Sequence, residues 1–172
     1  MFSQFFFALA AIAAFSLADG MAASADGAAP LQADTILTVT GTSNTTANGD
    51  LYHFDREALM KLGLTTLKTT TIWTEGIQTF EGVSLSAFAA ALGVKTGTFR
   101  ATAINDYTVE IPVSDAIQGG PIIAFKLNGD AMSVREKGPL WIVYPYDASA
   151  EYRTEVIYSR SIWQLDRIEV VE

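Results

Sequence analysis

The second half of the chain is written in short apolar runs separated by turn dipeptides. That punctuation suits a sheet and does not suit a bundle of helices. Ile122–Leu127 runs into Asn128-Gly129, the strongest two-residue hairpin signal in the sequence. Thr98–Ile104 and Tyr107–Pro112 flank Asn105-Asp106, a second hairpin turn. Leu140–Tyr144 (LWIVY) is continuously apolar and is expected as a central strand. Ser161–Val171 is expected as a long closing strand with Ile168 and Val170 on one face. Val113–Ile117 can make a single helical turn.

The first half adds a little helix. Ile36–Thr40 alternates as a half-buried strand does, and Gly41–Asp50 is small and polar throughout, hence a loop. Asp55 can cap one short helix, with Phe54 stapled to Leu59 and Gly63 at its end. Ser84 can cap another, with Val83 stapled to Phe88 and Gly93 at its end. Leu85, Phe88, Ala89 and Leu92 give that second helix one apolar stripe. Between the two, the threonine-rich Leu64–Trp73 suits a strand. The fold class is therefore α+β, a mixed curved sheet or partial barrel with two or three short helices.

The N-terminus reads differently. Phe5–Ala18 is apolar and too short to span a bilayer. Ala23-Ser24-Ala25 fits a small-residue cleavage pattern. Residues 1–25 are expected to be a signal peptide and 26–172 a single domain, periplasmic or secreted, although no Lys or Arg precedes the apolar run. The chain has no cysteine, so no disulfide can support the exported domain. Of 172 residues, 49% are hydrophobic and 17% charged, enough for a sizeable core. A net charge of −8 argues against nucleic acid and against anionic membrane surfaces once the signal is removed.

Catalytic constellations are scarce. There is no cysteine nucleophile, no G-x-S-x-G elbow and no phosphate loop. His53 is the single histidine. It sits between Asp50 and Asp55 in a spacing that matches no zinc or iron pattern, and it reads as a polar residue at a helix start. No metal ligand and no catalytic residue is assigned. Glu75 and Glu81 could meet across a hairpin or lie in a solvated loop. A richer cluster is Trp141, Tyr144, Tyr146, Tyr152, Tyr158 and Trp163, interleaved with Arg135, Lys137, Arg153 and Arg160. Rings with guanidinium forks suit a planar, anionic ligand. Rings also fill the core of a β-rich domain.

Five segments in order resemble the molybdopterin-binding domain of the sulfite-oxidase family. They are Trp73–Phe88 at a helix start, Ala103–Pro112 as a strand ending in Ile-Pro, Ala124–Gly129, Lys137–Pro145 and Trp163–Val170. The resemblance implies a sulfite-oxidase-like fold and, with it, a molybdopterin-dependent oxidoreductase. It also implies a cysteine thiolate on molybdenum, from the region Leu67–Trp73. Threonines stand there instead, and a threonine hydroxyl stays protonated near neutral pH, a poor ligand for a soft metal centre. Trp141 stands where the family has an arginine, and the family's basic, histidine-rich N-terminal loops have no counterpart. Fold without the site does not carry function. The expected function is a ligand- or partner-binding module without molybdenum redox chemistry; the alternative is an oxidoreductase with non-cysteine metal coordination. The expected contacts are Asn105, Asp106, Tyr107, Arg135, Lys137, Gly138, Tyr146, Arg153 and Arg160. The expected partner is a small anionic or planar ligand or a periplasmic protein, with molybdopterin as the one cofactor in question.

Overall fold

The structure is a computed structural model that describes residues 35–41 and 51–171. The expected signal peptide, the lead-in to the first strand and nearly all of the Gly41–Asp50 loop lie outside these residues.

Helix starts appear where side-chain caps are written. Asp55 accepts from the Ala58 amide at 2.7 Å and begins α1 (Arg56–Lys61). Ser84 accepts from the Ala87 amide at 3.1 Å and begins α2 (Leu85–Ala91), whose Leu85, Phe88 and Ala89 are buried. Each cap satisfies an amide that the first helical turn leaves without a partner. A third helix, α3 (Glu155–Arg160), was not expected from the sequence; Thr154 caps it through the Ile157 amide at 3.3 Å.

Two five-stranded sheets carry the fold. The first contains β1 (Leu37–Thr40), β2 (Tyr52–Phe54), β5 (Thr98–Ala103), β6 (Thr108–Pro112) and β10 (Leu165–Val171), in the order β2-β1-β10-β5-β6. Only the β1–β10 pair among them is parallel. The second contains β3 (Leu64–Thr69), β4 (Gln78–Ser84), β7 (Ile122–Leu127) and β8 (Asp130–Ala131), in that order, with β9 (Trp141–Val143) also paired to β7. Neither sheet closes into a barrel, and with three short helices the architecture is the mixed α+β class expected.

Alternation sets the buried face. Phe99, Ala101 and Ala103 on β5 and Val109 and Ile111 on β6 point one way, as a period of two requires. On β10 a bulge between Leu165 and Arg167 resets the alternation so that Leu165, Ile168 and Val170 are all buried. These residues join Phe80, Val83, Phe88, Ile123 and Phe125 in a single apolar core. Asn128 and Gly129 both take positive φ (53° and 92°), the geometry a two-residue hairpin needs.

The apolar run at Leu140–Tyr144 behaves as expected of a flanked strand, though its ladder is short. On one side β9 pairs with β7. On the other, Ile142 N–H donates to Ile162 O at 2.9 Å and Leu165 N–H donates to Leu140 O at 3.0 Å. The segment Ile162–Leu165 leads directly into β10, so β9 ties one sheet to the other.

Candidate functional site

β3 ends four residues earlier than its threonine-rich sequence suggests, because the chain is diverted to Asp147. Asp147 accepts from Thr70 N–H at 2.6 Å and from the Thr70 hydroxyl at 2.6 Å. In return Asp147 N–H donates to Thr69 Oγ1 at 3.2 Å. Thr71 Oγ1 then takes Trp73 N–H at 3.0 Å and bonds the Thr74 hydroxyl at 2.8 Å. This clamp fixes the turn that presents Trp73.

The Thr70 hydroxyl, followed by the Thr70 amide, holds the Asp147 carboxyl below the usual carboxylate range. A carboxylate whose folded value is depressed stabilises the protein above its unfolded value and loses that contribution as pH falls through the folded one. Asp147→Asn is therefore expected to melt below the native chain at pH 7. The gap should close as pH drops below the unfolded aspartate value of about 3.9. Paired melting curves from pH 7 to pH 2 check this; a gap independent of pH would assign the loss to packing.

Trp73 is the hub of an aromatic cluster. Its ring centroid lies 5.5 Å from Trp163, 5.8 Å from Trp141, 5.8 Å from Tyr158 and 6.2 Å from Tyr146, all edge-to-face. That arrangement sets positive ring edges against negative faces. Beneath the rings, the buried Ser161 organises two polar tips. Tyr146 donates to Ser161 Oγ at 2.6 Å, and Trp141 Nε1–H donates to Ser161 O at 3.2 Å. Burial pushes the Tyr146 phenol up to about 12, so it remains a neutral donor. On the flank, the Lys137 ammonium stands 4.6 Å over Trp163 and 5.6 Å over Trp141.

A cleft of about 310 Å³ opens above this cluster. Trp73, Asn105, Tyr107, Tyr158, Trp163 and Gln164 line it, with no charged side chain among the lining residues. Its size falls at the lower end of small-molecule sites, which start at about 300 Å³. Trp163 and Tyr107 remain 36% and 55% exposed, so two of the rings are accessible from solvent.

The residues expected at a site divide here. Asn105 and Tyr107 line the cleft. Tyr146 lies under it, and Lys137 flanks it. Gly138 is buried where a Cβ would stand 2.0 Å from Met132 O, a packing role. Asp106 takes the positive-φ corner of the β5–β6 turn (66°) and pairs with Arg167 at 2.8 Å. Arg160 bonds Asp115 at 2.9 Å, the same carboxylate oxygen that accepts the Tyr144 hydroxyl at 2.8 Å. Arg135 and Arg153 are exposed and do not line the cleft. The arginines thus do not line the cleft, although Arg160 meets the Tyr144 hydroxyl through Asp115. Glu81 pairs with Lys126 across β4 and β7 at 3.3 Å. Asp55 is engaged as a helix cap, and no group of three His, Asp or Glu side chains among the described residues could hold a metal.

Trp73, Tyr158, Trp163 and Gln164 stand at the cleft but were not among the expected contacts. Trp163 and Tyr158 were visible as members of an aromatic cluster. Nothing in their spacing distinguished a cleft wall from core filling.

The threonines do not fit a molybdenum-bound pterin. All three hydroxyls from Thr69 to Thr71 are held in protein hydrogen bonds: Thr69 with Asp147 N–H and Thr70 O, Thr70 with Asp147, Thr71 with Thr74 and Trp73 N–H. Trp141 is fully buried, so the position where the resemblance expects an arginine is filled with core.

Fold and cleft together define a mixed α+β scaffold with an uncharged aromatic pocket. Among solved structures, the chain is similar to the sulfane dehydrogenase SoxCD from Paracoccus pantotrophus, at 20% identity and a TM-score of 0.59. The match covers 80% of this chain and 38% of that one, so the chain spans well under half the neighbour's length. At this identity the likeness is one of fold. No family model matches the chain, and no curated protein matches it.

Proposed function

We propose that this chain is an exported binding module on a sulfite-oxidase-like scaffold, which holds a planar ring compound in the Trp73–Trp163 cleft and performs no molybdenum chemistry. The observation that carries the reading is the cleft: four aromatic side chains line a small-molecule-sized space that contains no charged group. Stacking on such rings contributes about 0.5–1.5 kcal/mol per pair beyond burial. The engagement of Thr69–Thr71 supports the negative half of the proposal. The apolar Phe5–Ala18 run and the Ala23-Ser24-Ala25 pattern support export.

All three tryptophans of the chain belong to the one ring cluster, so intrinsic fluorescence reports directly on the cleft. Titration with 2-naphthol, a planar fused ring, is expected to give a saturable change in that emission. Trp163→Ala and Tyr158→Ala should each weaken binding by roughly tenfold, from lost stacking and burial. Leu64→Ala, on exposed β3, should leave it unchanged. Absence of saturation, or equal affinity in the Trp163 variant, would overturn the reading.

A further inference from the structure

The cleft's unsatisfied hydrogen-bonding groups are unequally divided between donors and acceptors. Among the described residues, the indole N–H groups of Trp73 and Trp163 have no hydrogen-bond partner, and neither do the hydroxyls of Tyr107 and Tyr158. Asn105 uses its side-chain oxygen on the Tyr107 amide at 3.3 Å, which leaves its NH₂ group over. Gln164 is the reverse: its NH₂ donates to Val134 O at 2.7 Å and leaves its oxygen over. Indole and amide N–H can only donate, and a phenol hydroxyl can donate as well as accept. The lining therefore offers five groups able to donate, two of them hydroxyls that can also accept, against one group left only to accept.

We infer that the ligand is an uncharged planar ring bearing carbonyl or ring-nitrogen acceptors, a quinone-like compound in hydrogen-bonding terms; this rests on the cleft being the binding site. A bare hydrocarbon ring entering the cleft would strip water from N–H and O–H groups and return nothing to them, which is costly. A ring with carbonyls at its edge satisfies those donors while its faces meet the aromatic walls. Charge selects against the alternatives. No Lys, Arg, Asp or Glu lines the cleft, so a charged ligand would lose hydration without gaining a counter-ion. The net charge of −8 further disfavours an anion. The cations Lys137 and Arg167 flank the cleft and both are engaged: the Lys137 ammonium on the Trp163 and Trp141 rings, and the Arg167 guanidinium with Ala103 O and Asp106. A cation would meet donors of the wrong polarity.

The test uses three probes that share the fused naphthalene ring system, with the ¹⁵N-labelled full chain: menadione, 2-methylnaphthalene and 1,4-naphthoquinone-2-sulfonate. The absence of cysteine removes the thiol addition that otherwise complicates quinone binding. Menadione is expected to bind at least tenfold more tightly than 2-methylnaphthalene, roughly what two net hydrogen bonds supply. It should move the indole N–H signals of Trp73 and Trp163 and leave Trp141, already bonded to Ser161 O, the least changed. Trp163→Phe keeps a ring and removes a donor at a partly exposed position, and amide dispersion verifies its fold. This variant should lose at least threefold for menadione and little for 2-methylnaphthalene. Equal affinity of menadione and 2-methylnaphthalene would overturn the acceptor inference and leave the cleft reading standing. Tighter binding of the sulfonate would overturn the uncharged class. If none of the three probes moves the Trp73 or Trp163 signals, the cleft reading itself fails.

Discussion

Trp141→Ala is expected to destabilise the fold by about 3–5 kcal/mol, the range for deleting a buried tryptophan side chain. Trp141 is fully buried. Its ring meets Phe80 at 5.3 Å, Trp73 at 5.8 Å and Trp163 at 6.3 Å. It therefore touches β4, the β3–β4 turn and the segment entering β10 at once. Its N–H also satisfies Ser161 O, so truncation leaves a buried carbonyl without that donor as well as a cavity. Trp141→Phe separates the two contributions: the ring survives, the donor does not, and a loss of about 1–3 kcal/mol is expected. Urea denaturation of the three proteins measures both numbers. A loss below about 1 kcal/mol for Trp141→Ala would contradict the placement of this ring in the core. Against a total stability of about 5–15 kcal/mol, the alanine variant should also bring the melting point down by many degrees.

Gly82→Ala is expected to cost at least about 1–3 kcal/mol by overpacking. Gly82 lies on β4 at the bulge where the register with β7 shifts. A Cβ there would stand 2.1 Å from Ile123 O and 2.7 Å from the Ala124 Cα. Both atoms are backbone, so no side-chain rotation relieves the clash and the β4–β7 ladder must move. β4 pairs with β3 on its other edge, so the disturbance reaches the Thr69–Asp147 clamp and the turn presenting Trp73. Lower urea midpoints together with faster amide exchange across β4 and β7 are the expected signature. Unchanged exchange there would mean that the backbones are not in such close approach.

Features specified by neighbouring residues were legible in the sequence. Asp55 and Ser84 announce α1 and α2 because a cap bonds an amide three residues away. Asn128-Gly129 and Asn105-Asp106 announce their hairpins because the turn conformation is local. Features set at long range were harder to read. α3 has no fully buried residue, hence no strong apolar stripe to betray it. β4 is interrupted by Gly82 and its bulge, so its alternation is broken. The cleft was half legible. The rings stood out as a group, and two of the expected contacts, Asn105 and Tyr107, line the cleft. Composition cannot show how the arginines pair: Arg160 meets Asp115 across forty-five positions, a contact only the fold creates. The same holds for Thr69 and Thr70, whose partner Asp147 lies far along the chain.

Elemental analysis tests the central claim most directly. The full chain, carrying its own N-terminus, is expressed in a host that makes the molybdenum cofactor and is purified without chelators. Molybdenum is measured against protein, and pterin by fluorescence after oxidation. The account predicts neither above background, because the threonine hydroxyls in the segment where the resemblance implies the metal ligand are held by Asp147, Thr74 and the backbone. Near-stoichiometric molybdenum with pterin would contradict it and would establish a metal centre held without cysteine.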